Sequence, residues 1–156
     1  MNRRVTVPLA LLTVAALGIV PAQAAKPKPK PKPIKGSYSV TLVPDVSPNV
    51  VAQTGATPVC GTLAPSMDKH PFTVPAAGTL SVVLDSPDPT KGAYPAGPDW
   101  DLWLLDAAGD TIDGSHGGTA HEQVATKFKK KTPLTILVCN INGEPTGNIS
   151  YTFTYK

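Results

Sequence analysis

The chain has 156 residues, with 14 Lys and Arg against 11 Asp and Glu, 18 prolines and 13 glycines. That length suits one ordinary domain, and the Pro and Gly content excludes an assembly of long helices. The formal charge of +3 does not describe a nucleic-acid binder: Arg3, Arg4 and five lysines precede Gly36, and from Gly36 onward 7 Lys face 11 acids, a balance of about −4.

Residues 1–24 have the layout of a secretory signal peptide. Asn2-Arg3-Arg4 is a basic start, Val5 to Val20 is apolar, and Pro21-Ala22-Gln23-Ala24 ends in small residues of the Ala-x-Ala type. Pro8 and Gly18 interrupt the apolar run, which is shorter than the ~20 residues of a membrane helix, so no span is expected after cleavage. The exported chain is then Ala25–Lys156. Its only cysteines, Cys60 and Cys139, lie far apart without neighbouring Cys or His, and outside the cytosol they read as one disulfide. Closing that loop removes unfolded-chain entropy equivalent to roughly 4 kcal/mol.

Residues 25–36, "AKPKPKPKPIKG", form a stiff linker, because alternating Pro holds the backbone near polyproline II. Its lysines, Lys26 to Lys35, suit a solvated spacer or a tether to an anionic envelope polymer. The β-sandwich domain is expected over 37–156. Ser37–Val43 alternates and is β-branched, Pro44–Pro58 reads as irregular, and His70–Val74 and Gly78–Asp85 follow as strands. Ser86–Pro98, with four prolines, is a long loop. Trp100–Asp106, Thr111–Asp113, Gln123–Phe128, Pro133–Asn140 and Ile149–Tyr155 complete about eight short strands. No ten-residue stretch repeats at 3.6, so the fold class is all-β, an antiparallel β-sandwich or jelly roll.

"PDWDLWLLDAAGDTIDGS" (Pro98–Ser115) carries the most acid. Alternation puts Trp100, Leu102 and Leu104 on one face, toward a core, and Asp101, Trp103 and Leu105 on a mixed opposite face. Asp106–Asp110 is a tight turn with Gly109 placed for positive φ. The acids therefore read first as strand ends and turn caps. Asp99 and Asp101 share a face, but a catalytic acid needs burial or a like charge to raise its pKa, and nothing in the segment predicts that burial.

"FTVPAAGTLSVVLD" followed by "DWDLWLLDAAGDTIDGS" is similar to the bacterial pre-peptidase C-terminal domain. The family's Val-Pro-Ala-Gly and Thr-Leu-x-Val-x-Leu strand and its Asp-Leu-Tyr-Leu-x-Asp-x-x-Gly segment match here. In Asp101–Gly109 the second motif is one residue longer between Leu104 and Asp106. Gly147–Phe153 resembles the closing Gly-x-Tyr-x-Leu. The likeness covers about 71–156. It departs at Lys131-Thr132-Pro133-Leu134, where the family has Gly-x-Tyr, and the cysteines are outside its pattern. The resemblance implies a β-sandwich accessory module of the kind found behind secreted peptidases, here as a stand-alone copy. Some relatives bind collagen and some bind calcium.

No coherent catalytic set is visible. His121-Glu122-Gln123-Val124-Ala125 lacks the second His of a zinc-protease helix, and Ser115-His116 is not a nucleophile elbow. His116 and His121 read as solvated loop residues. No resident cofactor is expected. Calcium is the candidate metal, with Asp99, Asp101, Asp110 and Asp113 as oxygen donors near strand ends. Trp103 and Tyr94 are the candidate ligand-binding platform, unless Trp103 packs in the sandwich, and "KFKKK" (Lys127–Lys131) is a basic cluster or an edge-protecting turn. The expectation is a secreted, non-catalytic module binding an extracellular polysaccharide or protein. The alternatives are a structural envelope protein tethered by its Lys-Pro segment, and a small hydrolase using Asp99 and Asp101.

Overall fold

The computed structural model describes residues 29–44, 60, 66–87 and 97–156. The expected signal peptide, the first four residues of the Lys-Pro linker, most of the Pro44–Pro58 and Ser86–Pro98 loops, and Tyr94 lie outside them. The described residues form eight strands: β1 (Ile34–Thr41), β2 (Met67–Val74), β3 (Gly78–Asp85), β4 (Asp99–Leu105), β5 (Thr111–Ser115), β6 (His121–Phe128), β7 (Thr132–Asn142) and β8 (Thr146–Tyr155). All pairings are antiparallel. One sheet has the order β1-β8-β3-β6 and the other β2-β7-β4-β5, so the chain is an all-β sandwich.

Strand alternation builds the space between the sheets. Leu80, Val82 and Leu84 of β3 and Ile149 and Phe153 of β8 face Trp100, Leu102 and Leu104 of β4 and Leu134, Ile136 and Val138 of β7. Each such side chain contributes about 1.5–3 kcal/mol when removed from water. Trp100 fits because β8 carries Gly147 beneath it: a Cβ there would stand 2.7 Å from the indole.

Several strands run longer than the sequence reading, β2 from Met67 and β8 from Thr146 among them, and two further differences bear on the surface. β1 starts at Ile34, inside the expected linker, because Ile34, Lys35 and Gly36 pair with Phe153, Thr152 and Tyr151. The second face of β4, mixed in composition, is also buried. Trp103 and Leu105 join Leu137, Cys139 and Ile141 in a separate apolar cluster, with Cys60 and Met67 against it. Cys60 and Cys139 are disulfide-bonded, with Cα atoms 5.5 Å apart, so the bridge lies in this outer cluster.

Candidate functional site

The acids of 99–113 go to different places. Asp106 closes the β4–β5 turn: its Oδ1 accepts from the amides of Ala108 (2.8 Å) and Asp110 (3.0 Å), and Gly109 has φ +93°. Asp110 is exposed in that turn. Asp113, on β5, accepts from the Thr126 hydroxyl of β6 through Oδ2 and from the Gly114 amide through Oδ1. Asp113 lies near the Leu104 end of β4, opposite the end where Asp99 sits. Asp101 is 3% exposed. The four proposed calcium donors do not converge, and among the described residues no three His, Cys, Asp or Glu gather as a metal set.

Burial is where the sequence reading needs correction. Asp101 is buried, and Asp99 has a buried Oδ1 without a hydrogen-bond partner. The Asp99 carboxyl is held above its ordinary pKa by desolvation, then by the Glu122 carboxylate, with His116 opposing. Glu122 is the residue that motif reading missed. It is 2% exposed and accepts from the Ser115 hydroxyl, the Gly117 amide (3.0 Å) and the Thr119 hydroxyl (3.2 Å). Alternation was the available signal: Glu122 shares a face with Val124, so its charge had to meet donors.

His116 and His121 have separate partners. The His116 ring stacks on Trp103, with centroids 4.9 Å apart and planes at 10°. His121 opens β6 and meets Asp85 at 3.5 Å. Trp103 is only 3% exposed, between its outer cluster, the Gly114 backbone and His116, so it is not an open platform. Ser115 and His116 thus each serve the fold: the hydroxyl donates to Glu122 and the imidazole covers the indole.

The open surface with chemical character is elsewhere, where β6 and β8 end and β3 begins. A cleft of about 580 Å³ is lined by Lys127, Phe128 and Lys129 of the "KFKKK" segment, by Tyr155 and Lys156, and by Gly78 on its floor. Its volume is in the range of ligand pockets. Among the described residues, no Asp, Glu, His or Cys side chain lines it. A second groove, about 490 Å³, has walls of Ser37, Ser39, Asn148, Ser150 and Asp85 and contains no cation.

No protein-family model and no curated protein matches the chain. Among solved structures, it is similar to the pre-peptidase C-terminal domain of a collagenase from Bacillus anthracis, with 13% identity, a TM-score of 0.41, and coverage of 80% of this chain and 98% of that one. The VP2 subviral particle of infectious bursal disease virus is similar at 9% identity and a TM-score of 0.30, over 89% of this chain and 37% of the viral one. The first is a domain of the type whose motifs this sequence resembles. No argument about ligand or activity is carried over from either.

Proposed function

We propose that the protein is a secreted, non-catalytic β-sandwich module that binds an extracellular polymer or protein. The observation that carries this reading is the cleft. It offers ammonium groups and two aromatic residues, which suit holding a ligand, and among the described residues no acid, imidazole or thiol side chain with which to transform it. The acidic groups support the same view, since Glu122, Asp113 and Asp106 are occupied by donors of the fold itself. The Cys60–Cys139 bridge supports a life in an oxidising compartment.

Protein recovered from the culture medium is to be incubated with a panel of glycans and peptides. The expected result is export of the chain and no cleavage of any substrate. Hydrolysis that disappears in Asp99→Asn or Asp101→Asn would overturn the non-catalytic reading in favour of the hydrolase.

A further inference from the structure

We infer that the cleft and the lysines before and at the start of β1, Lys30, Lys32 and Lys35, together form one binding track for an acidic polysaccharide, a polymer of sugar rings bearing carboxylates. This rests on the binding-module reading and specifies its ligand.

The cleft owes its shape to one residue. Gly78 is the register partner of Phe128 on one side and of Tyr155 on the other. The central strand therefore places no side chain between the two rings. It also tolerates none: a Cβ at Gly78 would stand 2.3 Å from the Thr154 carbonyl and 2.4 Å from the Phe153 ring. Phe128 and Tyr155 are both half-buried, pack against the core and line the cleft. Tyr155 is braced edge-on by Phe153 at 5.0 Å. The Lys156 amide donates to the Ala77 carbonyl (3.1 Å), which fixes the wall beyond Tyr155.

Around this apolar gap stand Lys127, Lys129 and Lys156, all exposed and none in an ion pair among the described residues. Unpaired ammonium groups beside aromatic surface match a ligand with anionic groups set on ring faces. A linear polyphosphate satisfies the lysines and leaves the rings unused. A neutral glycan does the reverse.

The second observation is where the Lys-Pro segment joins the sandwich. β1 begins at Ile34, opposite Phe153 of β8, two residues before Tyr155. The chain leading into β1 thus arrives at the cleft end of the sheet. Lys30 and Lys32 are exposed there, in a segment without strand structure. Lys30, Lys32 and Lys35 and the lysines of the cleft are consequently at one end of the sandwich, and a polymer longer than the cleft meets both. β1 starting inside the linker is what brings them together.

The test is equilibrium binding of the exported chain at physiological salt to three probes: oligogalacturonate, polyphosphate of matched charge, and a neutral glucan. Oligogalacturonate is expected to bind most tightly. The triple variant Lys127→Ala/Lys129→Ala/Lys156→Ala is expected to weaken it by about tenfold or more. Deletion of residues 25–33 should weaken it severalfold, and Tyr155→Leu by about threefold, with polyphosphate binding unchanged by the last. The lysines are exposed, so the triple variant keeps its melting temperature and stands even where Tyr155→Leu does not fold. Binding untouched by the triple variant overturns the cleft and leaves the binding-module reading in place, with its site elsewhere. Polyphosphate binding as tightly as oligogalacturonate, or no binding by oligogalacturonate, overturns the ligand class. Export and absence of hydrolysis are judged by their own assay in every case.

Discussion

Where β5 faces β6, hydrogen bonds join the two sheets: the Ser115 hydroxyl to Glu122, and the Thr126 hydroxyl to Asp113. Where β1 faces β2, aromatic rings join them: Tyr38 of β1 stacks on His70 of β2 at 4.2 Å, and Phe72 of β2 meets Tyr151 of β8 edge-on at 5.0 Å. Both flanks share one device. On each flank one edge strand carries a glycine beneath an aromatic ring of its inner neighbour, Gly114 of β5 under Trp103 of β4 and Gly36 of β1 under Tyr151 of β8. The flanks differ in what the ring can do when pushed. Trp103 is buried within an apolar cluster, whereas Gly36 meets the far, half-exposed end of Tyr151. A hydrogen-bonded flank is directional and loses much when one partner goes. A stacked flank is tolerant and loses little.

The largest expected effect sharpens that contrast. A Cβ at Gly114 would stand 2.2 Å from the Trp103 ring, and one at Gly36 2.2 Å from the Tyr151 hydroxyl. Gly114→Val should destabilise by about 3 kcal/mol, because the indole has no room to move. Gly36→Val should cost about 1 kcal/mol, because the tyrosine swings outward. Urea midpoints compare the two, and equal losses would break the distinction. Next in size, Glu122→Ala leaves three donors without their acceptor and should cost about 2–3 kcal/mol. On the other flank, His70→Ala should cost about 1 kcal/mol, the worth of an aromatic pair.

The smallest effects are in pH. Asp99, beside Glu122, has its pKa raised by desolvation and then by that carboxylate. Tyr38 has its pKa raised chiefly by burial, then by Asp68 and Tyr151, and its hydroxyl is buried without a hydrogen-bond partner. In both cases the folded state holds the proton more tightly than the unfolded chain. The resulting stability is complete below the unfolded pKa and is lost as pH rises through the folded one. For Asp99 the loss falls on the acid side, above the ordinary value of 3.8. For Tyr38 it falls above the ordinary value of 10.0. Asp99→Asn should therefore gain on the wild type as pH rises from 4 to 7. Tyr38→Phe should match the wild type at neutral pH and outlast it in alkali. Melting curves at pH 4, 7 and 11 read both, and an Asp99→Asn variant that loses ground between pH 4 and 7 would contradict the sign.

Much of this was legible before any coordinates. Alternation located all eight strands, and β3 ends where its pattern ends, because a two-residue period is a local property. Gly109 in its turn and the Cys60–Cys139 bridge also followed from short-range or compositional rules. The errors share a cause. Asp101 read as a strand-end acid and Trp103 as either a platform or a packed residue, because their face of β4 is polar at one position and aromatic at the next. Whether that face is covered depends on Leu137, Cys139 and Cys60, all distant in sequence.

The sequence by itself determined the class of fold and a basic, Pro-rich entry into it, since periodicity, Pro, Gly and charge act over a few residues. Tertiary structure alone decided which carboxylates were occupied, which tryptophan was covered, and that Gly78 stands between Phe128 and Tyr155 with three lysines around it. Those arrangements depend on sheet order and register, which bring residues tens of positions apart within one contact distance, and local chemistry has no means of specifying them in advance.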